Sequence, residues 1–268
     1  MPLSNEVDAN ANRSMPFTIS HVVLAPPLAK LSGDRLPIAA IAIGSMTPDL
    51  YRLFTQANSN TTHYWTSLVH PDLWIGLSFC VLWYALLRPC FYRFLGIQHE
   101  LRLSSMLRFF KFSVGVVLAI LLGTATHLLW DGLTHVDHRT LFGHEFLSQK
   151  IPLLGHYYPL HRILQIGTSA LTLPLLAWMS WRYYQTYQQH FPVSLKIKRF
   201  AIGLFILSLL GGLVSVWDYA RYIPTQVWQS DLYYFTGRSI NEFSQVALLI
   251  LIFGCILFLF LDRDYRLG

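Results

Sequence analysis

The sequence predicts an all-α, polytopic helical membrane protein with about five transmembrane helices and a short buried or re-entrant helix near its N-terminus. Three observations carry that prediction. Charged residues make up 13% of the 268-residue chain, about half the roughly 25% usual in a soluble domain. Hydrophobic residues reach 53%, aromatics 15%, and the mean hydropathy is +0.40, more apolar surface than a soluble fold of this size hides. Five stretches free of Asp, Glu, Lys and Arg approach or reach the length of about 20 helical residues that crosses a hydrocarbon core.

In chain order, residues 1–14 are polar and lack the basic-then-apolar order of a cleavable signal. They are expected to be a disordered extension ahead of a single helical membrane domain over 15–268. The apolar run 36–46 is too short to span and is followed at once by Pro48, Asp49 and Arg52. It therefore reads as a helix leaning on the bundle. Spans are expected near 71–88, 112–132, 163–182, 200–218 and 243–262. Pro71 and Asp72 start the first, and Arg88 snorkels at its end. Pro174 should kink the third without stopping it, and Gly211-Gly212 should admit a close neighbour to the fourth.

A net charge of +6 and a pI near 9.3 would suit a nucleic-acid binder, but in a membrane protein such an excess reflects loop orientation. One set of loops and the tail holds Arg88, Arg93, Arg102, Arg108, Lys111, Arg182, Lys196, Lys198, Arg199, Arg263 and Arg266. The alternate loops hold only Arg139, Lys150, Arg162, Arg221 and Arg238, while the N-terminal segment adds four basic residues to that poorer side. The bias places the C-terminus in the cytoplasm. Cys80, Cys90 and Cys255 lie in or beside apolar runs without CxxC spacing, so they form neither a metal knuckle nor a disulfide framework.

Histidine carries the chemistry. Of eleven, only His99 and His190 fall in the expected cytoplasmic loops. The sharpest feature is His127-Leu-Leu-Trp-Asp131-Gly-Leu-Thr-His135, at the outer end of the second span. A spacing of four puts the three polar side chains on one helical stripe. Two imidazoles flanking a carboxylate suit a divalent ion such as Zn²⁺. On a regular helix His127 and His135 stand about 12 Å apart along the axis, too far to share one ion. Either Gly132 breaks the helix and His135 folds back, or Asp131 bridges two ions roughly 3.5–4 Å apart. The competing explanation is a capped helix end. His21, Asp49 and His63 add candidates on the same side of the membrane, although each alone has a bland role as an interfacial, capping or loop residue. Glu145 is the one Glu in the 131–162 loop and so the obvious candidate base there. His138, His144, His156 and His161 belong to the same loop, Asp72 opens a helix, Gln165 suits an interhelical hydrogen bond, and Asp218 should pair with Arg221.

Several of these segments together resemble a bacterial integral-membrane family, domain of unknown function 4184. They are Met15-Pro-Phe-Thr-Ile-Ser-His21, Gly44-Ser-Met-Thr-Pro-Asp49, Thr62-His63, Asp72-Leu73, Gly123-Thr-Ala-Thr-His127 continuing to His135, and Leu164-Gln165-Ile-Gly-Thr-Ser169. The resemblance covers roughly 15–185, continues more loosely beyond, and makes Met15 a plausible start. The order of His, Pro-Asp, Thr-His and His-xxx-Asp-xxx-His is more distantly similar to membrane-bound metal-dependent hydrolases and zinc-dependent phospholipases C. That similarity implies His21, Asp49, His63, His127, Asp131 and His135 as metal positions. Those hydrolases usually carry a richer Pro-Asp-x-Asp-His run, whereas here Asp49 is followed by Leu50-Tyr51-Arg52, which puts one ion in doubt.

The expected function is a membrane-bound hydrolase using one or two ions, most simply Zn, at the outer face of a bacterial inner membrane. Its substrate would be lipid-linked or a phosphate ester, its surroundings the lipid bilayer, with no nucleic acid. The alternative is a scaffold or sensor with a structural metal. A transporter fits less well, because the spans lack charges and an inverted repeat. A reporter that is active only in the cytoplasm, fused after Gly268, should be active. Activity confined to an outer-face reporter would reverse the orientation.

Overall fold

The computed structural model describes residues 18–55, 61–153, 155–226, 232–263 and 266–267. The 1–14 extension and Met15 lie outside them. The chain is a multi-pass membrane protein: five helices are long and apolar enough to cross a bilayer. A 3-10 turn over Thr18–Leu24 leads into α1 (Ala25–Leu31), and α2 comes next over Ile38–Leu50. The spanning helices are α3 (Asp72–Leu95), α4 (Met106–Thr134), α6 (Leu160–Tyr187), α7 (Leu195–Arg221) and α8 (Leu232–Leu261). Between α4 and α6 lie the short α5 (His144–Ser148) and an antiparallel hairpin, β1 (Lys150–Leu153) with β2 (His156–Pro159). Hydropathy announced none of α1, α5 and the hairpin.

The helices outrun their apolar cores because caps, not hydropathy, set where a helix stops. Ser105 accepts from Arg108 N at the start of α4, and Ser194 accepts from Ile197 N at the start of α7. Helix α3 continues seven residues past Arg88 by widening to a π-helical turn at Trp83–Leu87 just before Pro89, a common way for a helix to absorb a lost backbone donor. Helix α6 runs through Pro174 unbroken.

The chain divides into two compact units, Met1–Cys80 with Arg102–Trp181, and Val81–Leu101 with Arg182–Gly268. The second packs Cys90, Ile197, Leu204, Cys255 and Phe258 into a core. There α7 meets α8 at Gly212, where a Cβ would lie 2.5 Å from the Phe243 ring. Arg93 pairs with Asp262 at 2.9 Å, and Asp218 pairs with Arg221 at 2.5 Å.

The first unit is organised by α2 lying against α4. A Cβ at Gly123 would fall 2.7 Å from Ser45 N, and one at Gly44 2.8 Å from Ile120 Cα, so only glycine at both places lets the backbones touch. Pro48 gives the contact a polar tie. It has no N–H, and so leaves the carbonyl of Gly44, four residues back, without its helical donor. The Thr124 hydroxyl supplies the missing donor at 3.1 Å. In this way α4 becomes the most enclosed span, with 44% of its apolar window buried against 11–17% in the others.

Replacing Gly123 by Ala should overpack this crossing and cost about 1–3 kcal/mol. Thermal unfolding in detergent would read that loss, and an unchanged melting temperature would show that the crossing is looser than described.

Candidate metal centre

The α2–α4 contact delivers the functional side chains one by one. With Gly44 seated on α4, His127 lies beside the last turn of α2 and donates from Nδ1 to the Ser45 carbonyl at 2.8 Å. That bond fixes the tautomer and leaves the Nε2 lone pair pointing inward. One turn on, Asp49 sits in the last turn of α2. Thr62 donates to the Pro48 carbonyl at 2.8 Å and so pins the 3-10 turn Thr61–His63, bringing His63 Nε2 to 3.3 Å from Asp49 Oδ1. His21, from the turn before α1, stacks on His127 with ring centroids 4.1 Å apart.

Asp131 is the hub. Its carboxylate lies 3.5 Å from His127 Nε2, 3.8 Å from His21 Nε2, 3.9 Å from His63 Nε2 and 3.6 Å from His135 Nδ1. Two nitrogens or oxygens bound tetrahedrally to one ion at about 2 Å stand roughly 3.3 Å apart, so these spacings are those of a slightly opened ligand shell. Two groups bring their ligand atoms within 4.8 Å of one another and could hold an ion: His21, Asp49 and His127, and His63, His127 and Asp131. Both use His127. An imidazole nitrogen has one lone pair and Nδ1 is already spent on Ser45, so the two groups describe one ion position.

The donor set fits a cation on a further count. Among the described residues, His21 Nε2, His127 Nε2 and Asp131 Oδ1 are buried without a hydrogen-bond partner, a condition that costs on the order of 1–3 kcal/mol per group unless something satisfies it. The imidazoles outside the span are also in the ligating form. Burial pushes His21 down to about 3, with the nearby His127 acting in the same sense. Burial likewise holds His63 and His135 down at about 4. For Asp49, burial alone would raise the pKa, but His127, His63 and Arg52 hold its carboxyl well below the usual range.

His135 stands apart from both ion-binding groups. Helix α4 neither breaks nor bends back at Gly132. It runs on to Thr134, and His135 leaves it in extended conformation. Gly132 instead makes room for the returning loop: its carbonyl accepts from Leu141 N at 3.1 Å, and a Cβ there would meet the Leu141 side chain. His135 Nε2 is 3.0 Å from the Gln165 amide of α6, and its Nδ1 is 3.2 Å from the Asp131 carbonyl. Gln165 thus does make the interhelical hydrogen bond, with a cluster histidine as its partner. Glu145 is not brought to the cluster. It lies on the exposed side of α5, whose buried residue is Leu147.

The returning loop supplies a residue that motif reading missed. Arg139 is buried and donates from Nη1 to Asp131 Oδ2 at 3.0 Å and from Nε to Asp137 Oδ1 at 3.0 Å. Its Nη2 also pairs with Asp137. The available signal was a lone basic residue two positions after an aspartate, which counted only towards orientation. Asp72 both opens α3 and is fully buried, accepting from Ser67 Oγ at 2.6 Å.

Five membrane-length helices and a buried His/Asp group beside the end of the most enclosed one define a helical multi-pass membrane protein with a candidate metal centre. The chain belongs to the family described as Domain of unknown function (DUF4184), whose model matches residues 15–261. No curated protein and no solved structure matches it.

Replacing Arg139 with Met should leave Asp131 and Asp137 without their shared cation. In metal-free protein that should cost about 3–5 kcal/mol, read as a lower unfolding midpoint in detergent. A midpoint unchanged from wild type would remove Arg139 from the site.

Proposed function

We propose that the protein is a membrane-bound, metal-dependent hydrolase acting on a lipid-linked or phosphate-ester substrate. The observation that carries this reading is the set of buried polar atoms on His21, His127 and Asp131 that find no hydrogen-bond partner among the described residues. Three donors from among His21, Asp49, His63, His127 and Asp131, as in either group that shares His127, would hold a single divalent ion and leave a coordination position open. Nitrogen and carboxylate donors without sulfur favour Zn²⁺ among the common choices. Such an ion would supply Lewis-acid polarisation of a substrate oxygen and activation of water for attack.

The protein's own residues prepare that chemistry. Ser45 orients His127, Thr62 positions His63, and Arg139 holds the Asp131 carboxylate in one direction. His135, tied to Gln165 and facing the Asp131 carboxylate, serves to orient the hub. The surrounding apolar helices keep bulk water from the cluster, which strengthens every charge interaction inside it. The basic-residue bias supports a cytoplasmic C-terminus in a bacterial inner membrane, with the centre at the outer face next to lipid. A structural, non-catalytic ion is the second reading, favoured by how little of the cluster is exposed: Asp49, the most open of the five, is 8% exposed. A coordination position left open to solvent distinguishes the two.

Metal analysis of detergent-purified protein tests the proposal. Wild type should carry about one equivalent of Zn, His127→Ala should carry almost none, and Asp131→Ala should lose more than His135→Ala. Turnover of a phosphate-ester substrate that disappears with the metal would establish the enzyme reading. Full metal retention in His127→Ala would defeat the proposed site.

A further inference from the structure

Arg52 is the one cation at the edge of this cluster, among the described residues, whose hydrogen-bonding capacity is unspent. It lies in the 3-10 turn Tyr51–Leu53 directly after α2, three residues beyond Asp49. Its Nη1 is 3.8 Å from Asp49 Oδ1, and its side chain is 15% exposed. That separation exceeds a hydrogen bond, and among the described residues the guanidinium makes none. The contrast with Arg139 is direct, for that fork is committed to Asp131 and Asp137 at hydrogen-bond distance. A guanidinium carries five N–H donors in a planar fork matched to carboxylate and phosphate oxygens. The Arg52 side chain is partly open to solvent, so those donors are available to an incoming anion at no cost beyond displacing water.

The surroundings narrow what that ligand is. Arg52 borders the least buried edge of the cluster, next to Asp49. His138 is close enough to feel its charge, and the His138 ring lies 4.9 Å from that of Tyr64. The groups facing this edge are therefore Arg52, His138, Asp49 and His63, with a phenol at the side. The fork's planar geometry matches an oxyanion, and it stands 3.8 Å from Asp49, the least buried of the donors suited to a metal ion.

We propose that Arg52 is the anion-receiving residue of the site, holding the oxyanion of a phosphoryl-bearing ligand against the ion-binding group. This deepens the hydrolase reading and rests on it for the neighbouring ion. The idle donors of Arg52 stand independently of that ion. The Leu50-Tyr51-Arg52 sequence after Asp49 then supplies a charge for binding at a place where a further metal ligand is absent.

The full-length protein in detergent should bind inorganic phosphate, measured by calorimetry with metal content determined on the same samples. Arg52→Gln should weaken binding by at least about tenfold, the loss expected for a charge-assisted hydrogen bond, with metal content unchanged. Arg52→Lys, which keeps the charge but not the fork, should recover part of it. A parallel arm uses nanodiscs with or without phosphatidic acid. Binding of free phosphate that depends on Arg52 identifies a soluble phosphoryl group as sufficient. Binding seen only with phosphatidic acid, and lost in Arg52→Gln, identifies the lipid headgroup as the source. Equal binding by wild type and Arg52→Gln, or no binding in either arm, overturns the proposal. Phosphate binding through Arg52 in a protein without metal would sink the hydrolase reading and leave this one standing. Metal bound with phosphate indifferent to Arg52 would do the reverse.

Discussion

The contact between α2 and α4 is the constraint on which the site depends. Two glycines let the backbones touch, and a proline leaves one carbonyl that the facing helix must satisfy. With those helices locked, the Ser45 carbonyl can orient His127, the end of α2 presents Asp49, and the Pro48 carbonyl anchors the turn that carries His63. Side chains that would otherwise need separate positioning share one scaffold, and small errors in that scaffold are felt by all of them. Placing functional groups on packed helices in this way gives a rigidity that loops do not.

The electrostatics stem from the same enclosure. A low-dielectric setting disfavours every charge that lacks a partner, and the cluster answers with neutral imidazoles at His21, His63 and His135 and two aspartates each attended by an arginine. The two arginines are not equivalent. Arg139 is bound on both sides and belongs to the structure of the hub, whereas Arg52 approaches its carboxylate loosely and keeps its donors. One steadies the centre; the other leaves its edge receptive.

Much of the architecture was legible in the sequence, for reasons that can be named. Charge-free stretches of membrane length locate the spans because lipid excludes ionised side chains. The i, i+4 spacing of His127 and Asp131 states a shared face because α-helical geometry is regular. Helix ends were less legible, since Ser105, Ser194 and the π turn before Pro89 act through local backbone geometry that hydropathy ignores. The loop after α4 was the hardest part. Gly132 looked like a helix breaker but is a landing place for Leu141, and Glu145 looked like a base but sits on an exposed turn. Arg139 reaches the hub only because that loop folds back, a tertiary event that no periodicity encodes. Thr62 and Thr124 stood inside the family-like segments, yet their roles become visible only with the carbonyls they satisfy.

Pro48 also bears on how the chain assembles. Apolar helices in a bilayer can slide past one another with little penalty, because lipid tails and leucines offer equivalent surroundings. A carbonyl stripped of its helical donor is different: it is polar, points in one direction, and has no water at hand. If α4 were displaced along α2 by a single residue, the Thr124 hydroxyl would miss the Gly44 carbonyl and both groups would lie unpaired in an apolar setting. The proline thereby works as a check on register during insertion, penalising near-miss pairings that hydrophobic contact alone would tolerate.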